Sequence, residues 1–260
     1  RLAGIGVENT EENRQAYRGM LFTTPGIGEF ISGAILFEET LYQNHADGES
    51  MVEKLNKAGI VPGIKVDKGL KPLPGALAHE TYCSGLDGLT ERSVLQITED
   101  GPSEAAILES SWGLARYARA VQEAGLVPII EPEILMDGDH SVERTAEVQE
   151  RILEEVYFAC DRLGVVLEGT LLKPSMTVSG AECSTQLGPK EVAQRTINVM
   201  LKSVPPEVAG IVFLSGGLSE EAASVYLNEM NQFETPWTVS FSYGRALQHS
   251  CLKAWGGTNL

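Results

Sequence analysis

The chain has 260 residues, and its 20 Lys+Arg against 36 Asp+Glu give a formal net charge of −16. At 43% hydrophobic and 22% charged residues the composition is globular, sufficient for a large core and outside the disordered regime. So acidic a chain repels polyanions, which argues against a nucleic-acid or anionic-membrane surface, and no apolar run approaches the roughly 18–20 residues of a membrane span. The first residue is Arg1 and no signal-peptide pattern follows, so the expectation is that an end has been removed.

In chain order, short apolar runs alternate with longer amphipathic ones. Ile31–Phe37, Ile60–Val66, Leu126–Glu131, Val165–Lys173, Val208–Ser215 and Trp237–Tyr243 read as buried strands: short, rich in β-branched residues, and bounded by Gly or Pro. Ser93–Thr98 is a weaker seventh. Helices are predicted over Ser103–Glu123, Ser141–Leu163, Pro189–Ser203 and Ser219–Met230. In the first of these, Ile107, Leu108, Leu114, Ala115, Ala118 and Val121 share a face at the 3.6-residue period. Pro189 and Ser219 suit helix starts, and Gly125 and Gly164 suit stops. No repeat or domain-separating linker is present, so a single domain over residues 1–260 is expected. Alternation of this density implies a parallel sheet, doubly wound or closed as a barrel.

A dinucleotide-binding sheet would carry GxGxxG between a strand and a helix, and none is found; Gly26-Ile-Gly28 precedes a strand and reads as a turn. Polar residues instead gather at the C-terminal ends of different strands: Lys65, Glu131, Glu133, Lys173, Ser215, Ser242 and Arg245. That distribution marks a (β/α)8 barrel, the predicted fold. Cys83, Cys160, Cys183 and Cys251 form no CxxC pair, and the four histidines have no ligand spacing, so neither a disulfide framework nor a metal enzyme is expected. Asp137-Gly-Asp139-His140 reads as a polar turn entering a helix rather than a ligand cluster.

Lys173 carries the sharpest chemical signal. It closes the apolar run Gly169-Thr-Leu-Leu-Lys173-Pro174, where partial desolvation favours a neutral amine able to attack a carbonyl; the alternative is a lysine leaving the sheet for solvent. Glu131 and Glu133 lie two apart, hence on one face of a strand, and could shuttle the protons of imine chemistry or simply be polar residues past a strand end. Ser215-Gly216-Gly217 could form an anion-binding nest before a helix, and Tyr243-Gly244-Arg245 ends the last strand with a guanidinium suited to phosphate. Lys65 and Asp67 share a face, with a structural ion pair as the alternative.

The stretches Glu8–Arg14, Ala34–Tyr42, Gly63–Gly69, Val127–Ile134, Gly169–Pro174, Leu214–Gly217, Phe241–Arg245 and Lys253–Gly257 run in the order of one family. By them the chain resembles the class I, metal-free, Schiff-base fructose-bisphosphate aldolases. Thr23-Thr-Pro-Gly26, Pro62 and Ser111–Arg116 resemble plastid and algal members. The resemblance implies a lyase that needs no cofactor and cleaves fructose 1,6-bisphosphate to dihydroxyacetone phosphate and glyceraldehyde 3-phosphate. Its partner is a phosphorylated sugar, its assembly a homotetramer, and its compartment the chloroplast stroma or cytoplasm. It assigns Lys173 to the imine, Glu131 to acid/base work with Glu133 coupled to it, and Lys65 to the active site. Ser215, Gly216, Gly217, Gly244 and Arg245 match the holders of the C1 phosphate, with Arg1 and Ser242 at further phosphate-contacting positions. Arg14 matches a position that suits either substrate contact or structure.

Three departures accompany the match. The family's first strand, with the Asp that takes the C4 hydroxyl proton, precedes the position of Arg1. About fifteen family residues ending Ala-Lys-Trp-Arg have no counterpart between Arg92 and Val94-Leu95, which removes a second lysine, the arginine beside it and part of the fourth strand. The C-terminal arm with its Tyr has no counterpart after Leu260. The expectation is a longer chain of which these residues are a portion; the alternative is an aldolase-like scaffold with impaired catalysis.

Overall fold

The computed structural model describes residues 2–85 and 88–258. They form two compact units, residues 2–66 with 247–258, and residues 67–246 apart from 86 and 87.

In the first unit, α1 (Glu11–Thr23), α2 (Glu38–Tyr42) and α3 (Met51–Lys57) accompany two parallel strands, β1 (Gly33–Leu36) and β2 (Val61–Ile64). Ser50 and Glu53 make a capping box that starts α3. Leu36, Leu55 and Ile60 are buried together, and Leu2, Leu252 and Trp255 form a second cluster with Tyr17 against the Trp255 ring. Gly28 is a glycine for a steric reason: a Cβ there would lie 1.9 Å from the Ala58 carbonyl oxygen.

The second unit opens with an antiparallel pair, β3 (Asp67–Pro72) and β4 (Thr81–Gly85), which the sequence reading did not anticipate. Five parallel strands follow in the order β5 (Arg92–Leu95), β6 (Ile129–Ile134), β7 (Leu171–Leu172), β8 (Gly210–Phe213) and β9 (Thr238–Phe241). Each crossover carries one helix: α4 (Glu104–Glu123), α5 (Val142–Arg162), α6 (Pro189–Ser203) and α7 (Glu220–Met230). Strands added one after another on the same side, with no reversal, wind the sheet as a barrel does; a doubly wound sheet would show a switch point. The final helix, α8 (Arg245–Trp255), begins here and continues in the other unit.

The capping chemistry explains the helix starts. Ser103, Ser141 and Ser219 each accept a backbone N–H three residues on, and Pro189 occupies the first turn of α6. The core lies between helices and sheet, with Leu114, Ile130, Ile152, Leu153, Leu172, Ile197, Met200 and Phe213 fully buried. Leu108, assigned from its spacing to the buried face of α4, is instead exposed. Its neighbours Ala106, Ser110 and Gly113 take buried positions, because small residues let the helix approach its partners closely. The Val165–Lys173 run is mostly not strand: a 3-10 turn at Leu167–Gly169 precedes the two-residue β7.

Candidate active site

The parallel register sets the site. Arg92 pairs with Glu131 across β5–β6, and the Lys173 amide donates to the Ile130 carbonyl at 2.7 Å across β6–β7. The Leu214 amide reaches the Pro174 carbonyl at 3.1 Å, and the Ser242 amide reaches the Phe213 carbonyl at 2.9 Å. The C-terminal ends of four adjacent strands, β6 to β9, are therefore tied to one another and form a rim.

At that rim Lys173 Nζ lies 3.1 Å from Glu131 Oε2, with side-chain exposures of only 14% and 11%. Glu133, on the same face of β6, meets Arg92: the guanidinium Nε donates to Glu133 Oε2 at 2.6 Å, and Nη2 contacts the same oxygen. Arg92 Nε is 3.8 Å from Glu131 Oε1. Burial pushes the Glu131 carboxyl above its ordinary value, although Lys173 and then Arg92 pull it down and Glu133 adds to the rise. For Arg92, burial opposes the charge, but Glu133 and Glu131 outweigh it and hold the guanidinium protonated.

Arg92 corrects the sequence comparison. An arginine does stand in the strand ahead of Ser93-Val94-Leu95, and β5 pairs with β6 from Arg92 onward, continued by the Glu131 amide to the Glu91 carbonyl at 2.8 Å. Its position next to Ser93 in sequence was visible; its partnership with Glu133 was not, because that depends on the register of two segments some forty residues apart. Ser175 was missed as well. Its hydroxyl accepts from the Ile134 amide at 2.9 Å and donates to the Ile134 carbonyl at 3.0 Å, so the chain just past Lys173 stays stitched to β6 after the short ladder ends.

Of the other predicted site residues, Ser215 is buried at the end of β8. Gly216 and Gly217 follow it with φ of +54° and +97°, and Ser219 caps α7 immediately afterwards. Consecutive positive-φ glycines before a helix N-terminus present backbone N–H groups without side-chain obstruction, which suits an anion. One strand on, Ser242 and Gly244 lead into α8, whose first residue, Arg245, is exposed. The Tyr243 hydroxyl donates to the Ala223 carbonyl at 2.8 Å. Lys65 directly follows β2 in the other unit, where its amide donates to the Leu36 carbonyl at 2.8 Å. Arg1 lies outside the described residues. Arg14 binds Glu39 and Asn9, a structural role. Among the described residues no three His, Cys, Asp or Glu side chains converge as a metal site, the four cysteines are free, and no helix is long and apolar enough to cross a membrane.

The arrangement offers an amine against a carboxyl of raised proton affinity, a second carboxylate fixed by arginine, and an anion cradle two strands away. Known proteins place it. Residues 1–260 match the family model described as "Glycolytic: Fructose-bisphosphate aldolase class-I". The chain is 53% identical to a chloroplastic fructose-bisphosphate aldolase of Oryza sativa subsp. japonica, over 99% of this chain and 70% of that protein. It is 54% identical to the chloroplastic aldolase 3 of Arabidopsis thaliana, over 99% and 69%. The rice alignment runs over 271 positions for a chain of 260, so the chain is the shorter of the two within the matched span. Among solved structures, a Plasmodium falciparum fructose-bisphosphate aldolase, crystallised with TRAP and a small-molecule inhibitor, superposes with a TM-score of 0.95 at 47% identity, over 99% of this chain and 79% of that one. With a full-length family match, relatives above 50% identity and a shared (β/α)8 barrel fold, this chain belongs to the class I fructose-bisphosphate aldolase family.

Proposed function

We propose that the chain, as one barrel domain over residues 1–260, reversibly cleaves fructose 1,6-bisphosphate through an imine on Lys173. The observation that carries the reading is the buried Lys173–Glu131 pair at 3.1 Å. An ammonium is no nucleophile, and a carboxylate of raised proton affinity within hydrogen-bond distance is a suitable base to take its proton. The freed amine adds to the C2 ketone, and Glu131, now protonated, returns the proton to the leaving hydroxyl as the carbinolamine dehydrates. The protonated imine then accepts the electron pair of the C3–C4 bond while Glu131, a carboxylate again after dehydration, takes the C4 hydroxyl proton; this gives an enamine and an aldehyde, and the same proton delivered to C3 of the enamine restores the imine. Hydrolysis runs the proton transfers in reverse and frees dihydroxyacetone phosphate.

The Ser215–Gly217 nest, with Ser242, Gly244 and Arg245 at the next strand end, holds the C1 phosphate; this sets C2 over Lys173 by anchoring charge away from the reacting carbon. Glu133 belongs with Glu131 on this reading, and Lys65 and Arg1 keep the substrate-contacting roles that the family resemblance gives them. No cofactor is required, because the imine itself is the electron sink. The chloroplast, named for the plant relatives, is its compartment, and the assembly is a homotetramer, to be read as four chains per particle by light scattering. A single cooperative calorimetric transition would support one domain.

The decisive test is borohydride reduction with dihydroxyacetone phosphate followed by peptide mapping. The expected product is a reduced triose adduct on Lys173; a protein that turns over substrate without an adduct there would refute the imine.

A further inference from the structure

We propose that Gln149 of α5 and Thr177, the residue it engages, are positioning residues for Lys173: together they hold the chain beyond β7, where the strand ladder has ended, and so fix where the amine stands. This rests on the Lys173 imine reading and extends it.

β7 is two residues long, and Lys173 is the residue that follows it. From there to Gly180 the chain is neither helix nor strand, yet every residue from Pro174 to Gly180 is buried. Buried backbone groups without a ladder need other partners. Side chains of the two neighbouring helices supply them. Gln149 Nε2 donates to the Ser175 carbonyl at 2.7 Å, and the Thr177 hydroxyl donates to Gln149 Oε1 at 2.6 Å. One turn earlier on α5, the Thr145 hydroxyl donates to the Val178 carbonyl at 2.7 Å. From α6, Thr196 Oγ1 accepts the Thr177 amide at 3.0 Å. Gln149, Thr145, Thr177 and Thr196 are all buried, where a lost partner is costly.

Gln149 is the central member because one planar amide grips the segment at two residues, Ser175 and Thr177, with its donor and its acceptor in fixed relation. Ser175 in turn bonds both the amide and the carbonyl of Ile134 on β6, the strand that carries Glu131. Helix, segment and β6 therefore meet two residues from Lys173. A shift there moves the amine against Glu131, from which it stands at 3.1 Å. The phosphate cradle has ties of its own, from the Leu218 amide to the Ser215 carbonyl at 2.8 Å and from the Ser242 amide to the Phe213 carbonyl at 2.9 Å. Loss of the Gln149–Thr177 bond should displace the amine more than the bound phosphate, and so lower kcat while KM holds.

The test pairs steady-state cleavage with single-turnover borohydride trapping, and calorimetry reports the fold of each variant. Thr177→Val removes the hydroxyl at nearly constant volume. It should lower both kcat and the rate of trapping on Lys173 about 10-fold, with KM within about twofold of the unmodified value. Gln149→Met, which loses both bonds, should cost about 100-fold. Thr177→Ser keeps the hydroxyl and should recover the rate. If Gln149→Met does not fold, the Thr177→Val and Thr177→Ser pair decides. A lower melting temperature in Thr177→Val with kcat and trapping rate unchanged would overturn the positioning role and leave the imine standing. A rise in KM alone, or a rate that Thr177→Ser does not recover, would overturn it as well. Turnover by the unmodified protein with no adduct on Lys173 would overturn the imine reading instead.

Discussion

Glu39 and Glu131 each stand between two cations, and their proton affinities go opposite ways. Glu39, in the first unit, receives Arg14 through Nε at 2.9 Å and Nη2 at 2.5 Å, together with a contact from Arg18. Arg14 above all holds it at about 2, with burial opposing. Glu131, in the second unit, has Lys173 and Arg92 nearby, yet its affinity is raised. The difference is water. The Glu39 side chain is 32% exposed and that of Glu131 only 11%, so desolvation loses to the arginines in one place and beats its cations in the other. A structural carboxylate is kept charged at any ordinary pH, whereas a chemical one is kept close to changing.

The largest break in that contrast comes from Lys173→Met, expected to cut turnover by about four orders of magnitude and to abolish the reduced triose adduct, as steady-state assay and peptide mass would show. Glu131→Gln comes next, with a loss of about 100- to 1,000-fold. The unmodified protein should lose activity as pH falls through the raised Glu131 value, because the base form disappears, and the residual activity of Glu131→Gln should lack that limb. A conversion step slow enough to mask the limb would be exposed by single-turnover trapping across the same pH range.

Glu39→Gln tests the opposite pole through stability. A depressed carboxylate stabilises the fold above its unfolded value near 4.5, and that contribution fades as pH falls toward about 2. Discounted for partial exposure, the substitution should cost about 1 kcal/mol at pH 7 and progressively less in acid, measured by urea denaturation at both ends. The smallest effect belongs to Lys202→Ala, which removes a solvent-exposed pair with Glu150 across α5 and α6. Its melting temperature should match that of the unmodified protein; a clear drop would mean that exposed ion pairs carry weight here, and the contrast would narrow.

Much of this was legible in the residues. The run ending at Lys173, the i and i+2 spacing of Glu131 and Glu133, and the glycines after Ser215 are local patterns, since a strand alternates faces and a nest needs no side chains. The starts of α4 to α7 were legible for the same reason, as capping by Ser103, Ser141 and Ser219 is a matter of three residues. The helices α1, α2, α3 and α8 were missed. Their apolar residues are too sparse for periodicity to stand out, and α2 and α3 span under two turns. The β3–β4 pair escaped because strands rich in Gly, Lys and Thr carry no apolar alternation.

Local chemistry, then, is what the sequence by itself determined: a parallel α/β chain with an amine, two carboxylates and a phosphate-ready turn at strand ends. Tertiary structure decided which of those groups meet, and on what terms. Lys173 beside Glu131, Arg92 on Glu133, and the greater proton affinity of Glu131 all follow from strand register and the exclusion of water. Neither is a property of any short stretch of chain: register is set by pairing between distant segments, and dielectric surroundings by everything packed around the site.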